Sequence, residues 1–181
     1  MINDIAKVLV SEEEIKSAVA RLAKEIDETY KNSDKTLLVV GILKGSIVFM
    51  ADLIRSITAP MTIDFMQVSS YGSGTVSGDI DFRLDLKYDD LSKYDVLVVE
   101  DILDTGNTLS YLLENLQNRG ANSVKLCVLL NKPERRIKPI DIDFEGIVIP
   151  DEFVVGYGLD FNEKYRSLPY IGVLKPEVYA N

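Results

Sequence analysis

The chain has 181 residues, of which 46% are hydrophobic and 27% charged, the composition of an ordinary soluble globular protein that folds as one domain, 1–181. Its net charge of −9 argues against a nucleic-acid partner, because phosphate backbones are bound through clustered Lys and Arg. No apolar run approaches the roughly 20 residues that span a bilayer, and the first residues lack the basic and apolar segments of a signal peptide. We therefore expect a cytoplasmic protein with no membrane partner.

The first helix is predicted from a capping box, in which Ser11 precedes Glu14, and its apolar residues recur at helical spacing to about Asn32. Further strands are predicted at 36–42, 61–68, 79–86, 95–101, 123–130, 145–150 and 153–159, and further helices at 46–57 and 106–118. We expect 79–86 to form a hairpin with the preceding strand, and the tail 162–181 to be irregular. Strands that alternate with helices predict an α/β fold with a mainly parallel sheet, whose ligands bind beyond the carboxyl ends of the strands.

The residue types limit the chemistry. The chain contains no histidine, which is the usual general base near pH 7 and the commonest nitrogen ligand of transition metals. Acid–base chemistry must therefore use carboxylates, Lys or Tyr, and a metal site would favour Mg²⁺ or a similar hard cation. The single cysteine, Cys127, lies within SVKLCVLL and is predicted to be a buried small hydrophobe.

The segment VVEDILDTGNTL (98–109) is a hydrophobic strand that ends in a short turn before a helix. Backbone N–H groups of the turn, the Thr105 and Thr108 hydroxyls and the helix dipole would together bind a phosphate monoester. Gly106 would let the backbone approach the ligand closely.

The same segment also carries three carboxylates, those of Glu100, Asp101 and Asp104. A carboxylate about 5 Å from a phosphate charge is repelled by roughly 3 kcal/mol at an effective dielectric of about 20. The acids become useful when the ligand also offers hydroxyls and a metal, because acids accept hydrogen bonds from a ribose diol and Mg²⁺ neutralises a second phosphate group. A ribose with a 5-phosphate and a pyrophosphate supplies all of these features.

The segment 98–109 resembles the phosphoribosyl-pyrophosphate motif of type I phosphoribosyltransferases. Three further segments, in the same order along nearly the whole chain, narrow the resemblance to the hypoxanthine-guanine phosphoribosyltransferase family. GILKGS (41–46) resembles its pyrophosphate loop and SSYGSG (69–74) its mobile loop, while LLNKPERR and IPDEFVVGYGLDFNEKYR resemble its purine pocket. The resemblance implies the type I phosphoribosyltransferase fold, with a core of about 36–160 and a small hood formed by the N-terminal residues and about 161–181.

The resemblance also implies a role for individual residues. The phosphoribosyl group would contact Glu100, Asp101, Asp104, Thr105, Gly106, Asn107 and Thr108, and the pyrophosphate would contact Lys44, Gly45 and Arg166. The purine would contact Lys132, Phe153 and Val154, the mobile loop would contribute Ser70 and Tyr71, and Mg²⁺ would be held by Glu100, Asp101 and Asp160. In this family the peptide bond before the pyrophosphate-loop lysine is often cis, a feature that a sequence does not show.

The implied reaction transfers the phosphoribosyl group from phosphoribosyl pyrophosphate to hypoxanthine or guanine, giving IMP or GMP, in a homodimer or homotetramer. Lys132 would donate to the 6-oxo group of the base and Phe153 would stack on it. Adenine presents an amino donor at that position, a mismatch that should cost several kcal/mol. Asp104 would be the catalytic residue, facing purine N7, where it would act as a general base or hold the N7 proton as it leaves.

The sequence leaves open other functions, and within the leading one it leaves open whether xanthine is a substrate. Taken alone, Lys132 after a strand is more often a solvated surface residue, and Asp160 or Arg166 could be ordinary surface charges. A regulator of the same fold that senses nucleotides and binds RNA would need a basic surface patch. A pyrimidine or adenine phosphoribosyltransferase would lack the pairing of Lys132 with Phe153, and a structural protein would not be stabilised by GMP.

Overall fold

The computed structural model describes residues 2–70 and 80–180 of the chain. In chain order the elements are β1 (Ile5–Val10), α1 (Glu12–Tyr30), β2 (Thr36–Ile42), α2 (Ile47–Ser56), β3 (Met61–Ser70), β4 (Ile80–Leu84), β5 (Tyr94–Leu103), α3 (Asn107–Asn118), β6 (Ser123–Asn131), β7 (Phe144–Val148), β8 (Val154–Val155), β9 (Ile171–Leu174) and α4 (Pro176–Tyr179). No helix of these residues is long and apolar enough to cross a membrane.

The main sheet has six strands in the order β4-β3-β2-β5-β6-β7. All neighbouring pairs are parallel except β3 and β4, which form the predicted antiparallel hairpin. The carboxyl ends of β2, β3, β5 and β6 therefore meet at one edge. The prediction of an α/β fold with a mainly parallel sheet is confirmed.

Each face of the main sheet is covered by helices, which explains why its central strands are apolar without alternation. In β2, Leu37 and Val39 belong to the core under α1 and α2, while Leu38 and Val40 belong to the core under α3. The predicted capping box of α1 is present, since the Ser11 and Glu14 side chains each bond the other residue's backbone N–H. Cys127 is fully buried, as predicted.

The terminal segments form a second, three-stranded sheet in the order β1-β9-β8. The prediction that 162–181 is irregular was wrong, because Ile171–Leu174 pairs with β1 and with Val154–Val155, and the helix Pro176–Tyr179 follows. The prolines that suggested an irregular tail lie outside the strand, and Pro176 occupies the first turn of that helix, where it is tolerated. The main-chain N–H of Leu174 donates to the carbonyl of Phe153 at 2.9 Å, so this small sheet reaches the predicted purine pocket.

Candidate active site

The turn after β5 forms one wall of a cavity of about 280 Å³ at the carboxyl edge of the sheet. The predicted phosphate-binding residues line it together: Glu100, Asp104, Thr105, Gly106, Asn107 and Thr108. Gly106 has φ +84° and stands immediately before α3. Its carbonyl accepts the N–H of Ser110, so the preceding N–H groups of the first turn have no partner within the helix. An anion in this cavity would meet those N–H groups and the positive end of the helix dipole.

The turn is held in place by the segment that follows Lys132. The carbonyl of Thr105 accepts hydrogen bonds from the N–H groups of Ile137 and Lys138, both at 3.0 Å. The Arg136 guanidinium donates to the carbonyl of Asp104 at 3.0 Å. Sequence reasoning missed Arg136, although the pair of arginines in the quoted segment LLNKPERR was a signal that could have drawn attention to it.

The adjacent acids at the end of β5 face different cavities. Glu100 lines the cavity just described, and Asp101 lines a second one of about 320 Å³. Burial and the neighbouring Asp101 carboxylate raise the pKa of Glu100 well above its ordinary range. Burial also raises the pKa of Asp101, which is 8% exposed. Both carboxylates are therefore kept in a position that disfavours their charge, as is expected where a cation or several hydroxyl donors complete the site.

The second cavity contains all of the predicted pyrophosphate-binding residues. It is lined by Lys44, Gly45, Gln67, Arg83, Asp101, Leu159, Asp160, Glu163 and Arg166. The peptide bond between Leu43 and Lys44 is cis. Gly45 packs directly against Asp101, and a Cβ built on Gly45 would overlap that carboxylate. A side chain at this position would therefore separate the pyrophosphate loop from the end of β5.

Ion pairs occupy part of this cavity. Lys44 Nζ lies 2.9 Å from the Glu163 carboxylate, and the Arg166 guanidinium lies 2.9 Å from Asp160 and 3.4 Å from Glu163. The hydrogen bonds from Lys44 and Arg166 lower the pKa of Glu163. Sequence reasoning missed Glu163, which forms ion pairs with both basic residues of the predicted pyrophosphate site, Lys44 and Arg166.

Two of the predicted purine-binding residues follow strands, Lys132 after β6 and Phe153 after β7. The Lys132 main-chain N–H donates at 3.1 Å to the carbonyl of Leu103, which lines the first cavity. Lys132 is 5% exposed, and its Nζ donates to the Glu152 carbonyl at 2.8 Å and lies 3.5 Å from the Asp151 carboxylate. The Phe153 ring is 39% exposed and stacks on Tyr179 of α4 with ring centroids 4.6 Å apart. Val154 lies in β8 opposite Val173. Lys132 is thus a buried cation rather than a solvated surface residue.

Asp104, the predicted catalytic residue, is paired with an arginine that was not predicted. Its Oδ1 lies 3.3 Å from Nε of Arg135, which also approaches Asp151 at 3.9 Å. Because Asp151 lies beside Lys132, charged side chains connect the predicted base to the predicted purine-binding lysine. The remaining prediction concerns the mobile loop: Ser70 is the last residue of β3, and Tyr71 lies outside the described residues.

The fit of a divalent cation can be judged from the oxygen donors. Within residues 2–70 and 80–180, no group of three or more His, Cys, Asp or Glu side chains is arranged to hold a metal by itself. Asp101 and Asp160 nevertheless line the same cavity. Mg²⁺ is commonly bound by one or two carboxylates together with substrate phosphates, so these residues fit an ion that binds with a pyrophosphate.

Comparisons with known proteins agree on the type of domain. Residues 7–162 match the phosphoribosyl transferase domain. The chain is 51% identical to the hypoxanthine-guanine phosphoribosyltransferase of Bacillus subtilis, with 100% of this chain and 99% of that protein covered. It is 50% identical to the bifunctional protein TilS/HprT of Listeria monocytogenes, of which it spans only 28%. A crystal structure of a hypoxanthine phosphoribosyltransferase from Staphylococcus aureus superposes with a TM-score of 0.93 at 49% identity, covering 100% of this chain and 97% of that one.

Proposed function

The chain belongs to the phosphoribosyltransferase family, and we propose that it transfers the 5-phosphoribosyl group of phosphoribosyl pyrophosphate to N9 of hypoxanthine or guanine. The products are IMP or GMP and pyrophosphate. The observation that carries the proposal is the division of two neighbouring carboxylates between two cavities: Glu100 faces the cavity at the start of α3, and Asp101 faces the cavity lined by Lys44 and Arg166. A ribose with phosphate groups at C5 and C1 needs acids between two anion sites.

The 5-phosphate binds at the N-terminus of α3, where the Thr105 and Thr108 hydroxyls add donors to the free N–H groups. The ribose diol donates to the carboxylates of Glu100 and Asp101. As pyrophosphate leaves C1, positive charge grows on the ribose ring, and these carboxylates stabilise it. The proposed metal residues Glu100, Asp101 and Asp160 would hold Mg²⁺, which supplies positive charge against the pyrophosphate when it is bound.

The base is selected by Lys132, whose buried ammonium faces acceptors only, the Glu152 carbonyl and the Asp151 carboxylate. It donates to the 6-oxo group of hypoxanthine or guanine, while the 6-amino group of adenine offers it no acceptor. The base stacks on Phe153 and contacts the main chain of Val154. Asp104 accepts the proton from purine N7 while N9 attacks C1.

We also propose that the active form is a homo-oligomer in the cytoplasm. Exposed apolar side chains support association. Ile63 on β3 is 46% exposed and Leu84 on the neighbouring edge strand β4 is 43% exposed. Sedimentation of the chain beside an Ile63→Asp variant tests this proposal, because a charge within an apolar interface should shift the variant toward monomer.

The activity is tested by parallel assays with hypoxanthine, guanine, xanthine and adenine, each with phosphoribosyl pyrophosphate and Mg²⁺. We expect turnover of the two 6-oxopurines hypoxanthine and guanine and none of adenine, while the xanthine assay defines the breadth of the pocket. Stabilisation against heat by GMP with Mg²⁺ provides a second readout that does not depend on turnover. Turnover of adenine in place of the 6-oxopurines, or no stabilisation by GMP, would refute the proposal.

A further inference from the structure

The hairpin that borders the pyrophosphate cavity contains a β-bulge. Gln67 of β3 pairs with Leu84 of β4, whereas the next residue, Val68, pairs with Phe82. Arg83 is therefore the extra residue, with no partner across the ladder. A bulge of this kind changes the direction in which a side chain points, and bulges are common beside active sites.

The bulge separates the surroundings of neighbouring side chains. Phe82, like Val68, packs against the hydrophobic core under α3. Arg83 instead lines the second cavity, together with Gln67 on the adjacent strand. Strand β4 thus presents one cation to the cavity at its edge.

The charges of this cavity make Arg83 different from its other cations. Lys44 and Arg166 are already engaged, both by Glu163 and the arginine also by Asp160. Arg83 forms no ion pair with another residue of the ranges 2–70 and 80–180. Its guanidinium is therefore available to a ligand without the loss of an existing partner.

We infer that Arg83 is a pyrophosphate-binding residue, which contacts the pyrophosphate group of phosphoribosyl pyrophosphate and the free pyrophosphate of the reverse reaction. This inference rests on the proposed function of the cavity. Pyrophosphate enters beside the carboxylates of Asp101, Asp160 and Glu163, so it requires cations that those acids do not already neutralise. The planar fork of a guanidinium matches two phosphate oxygens at once, which a lysine ammonium does not.

The test compares Arg83→Ala and Arg83→Lys with the unchanged protein. We expect Arg83→Ala to raise the KM for phosphoribosyl pyrophosphate by about tenfold, and in the reverse reaction the KM for pyrophosphate by the same factor. This factor corresponds to the lower end of the free energies of hydrogen bonds to charged groups, because the Arg83 side chain is exposed. The KM for hypoxanthine and the Kd for GMP should stay within about twofold, since neither ligand carries a pyrophosphate. Arg83→Lys should recover part of the loss.

Two controls make the result decisive. Arg55→Ala removes another exposed arginine, on α2, that does not line the cavity, and it should leave every constant unchanged. Calorimetric titration of pyrophosphate with Mg²⁺ into each variant reports binding without catalysis, so it tests Arg83 even if the base specificity proposed above is wrong. Equal pyrophosphate affinity in Arg83→Ala and the unchanged protein would overturn the inference, as would an equal loss of GMP affinity.

Discussion

Replacement of Lys132 by Met is the most direct test of how the base is chosen. The side chain is 5% exposed, and Met preserves most of its apolar stem while removing the ammonium. The proposed hydrogen bond to a 6-oxo group would be charge-assisted and contribute about 1.5–3 kcal/mol, so its loss should lower the kcat/KM for hypoxanthine by roughly 10–150-fold. The unpaired Glu152 carbonyl should also lower the free energy of unfolding, by about 1 kcal/mol.

The response to adenine separates recognition from general damage. Because the mismatch between two donors disappears in Lys132→Met, the kcat/KM for adenine should stay constant or rise, and the preference for hypoxanthine should shrink. The control is Lys125→Met on β6, the strand that Lys132 follows. The Lys125 ammonium lies 2.8 Å from Asp143, and neither residue lines either cavity of the candidate site. If hypoxanthine and adenine lose activity in the same proportion in Lys132→Met, the reasoning about the 6-position is refuted.

Three further predictions concern single side chains. Asp104→Asn should lower kcat strongly with little change in GMP affinity, measured by single-turnover kinetics and calorimetry; a large loss of affinity with kcat intact would contradict its role as a base. Gly158→Ala should lower the free energy of unfolding by more than Gly120→Ala. Both positions have positive φ, which costs a non-glycine residue about 1–3 kcal/mol, but of the two only Gly158 would place a Cβ against a backbone atom, the Gly45 carbonyl oxygen. Equal melting temperatures of the two variants would exclude this close approach. Burial would raise the pKa of Asp95, but hydrogen bonds from three side chains outweigh burial and lower that pKa below the ordinary 3.8. The Asp95 carboxylate therefore stabilises the fold above pH 3.8, and this stabilisation is lost as the pH falls through the pKa of the folded protein. Melting temperatures of Asp95→Asn should depend less on pH in that range.

The parts of the fold that the sequence predicted well are those decided by local pattern. The apolar runs of β2, β5 and β6 are typical of strands buried on two faces, and their bounds differ from the prediction by at most two residues. The small sheet was not predicted, because its pairing joins Ile5 to Leu174 across nearly the whole chain. A strand of four residues, such as Ile171–Leu174, carries too little alternation to be recognised without its partner.

The residues of the candidate site were likewise predicted where local sequence places them and missed where it does not. The residues of a contiguous motif, such as Thr105 and Thr108, lie together because a single turn carries them. The residues that were missed are brought in by contacts distant in sequence or by an irregularity. Arg136 reaches Asp104 from a loop 32 residues away, and Arg83 enters its cavity through a bulge that strict alternation would not predict.

The charges of the site are arranged for a ligand at some cost to the free protein. Glu100 and Asp101 are adjacent at a buried strand end, and their raised pKa values mean that ionisation of both opposes the folded state. The pairs formed by Lys44 and Arg166 with Glu163 lie partly in solvent, where ion pairs contribute little, so exchanging a carboxylate for a pyrophosphate should require little energy. A single ligand can satisfy both sets of charges. Its hydroxyls and bound cation stabilise the acids, and its pyrophosphate replaces the carboxylate partners of the basic side chains. A phosphorylated ribose with a pyrophosphate therefore matches the site better than either anion would alone.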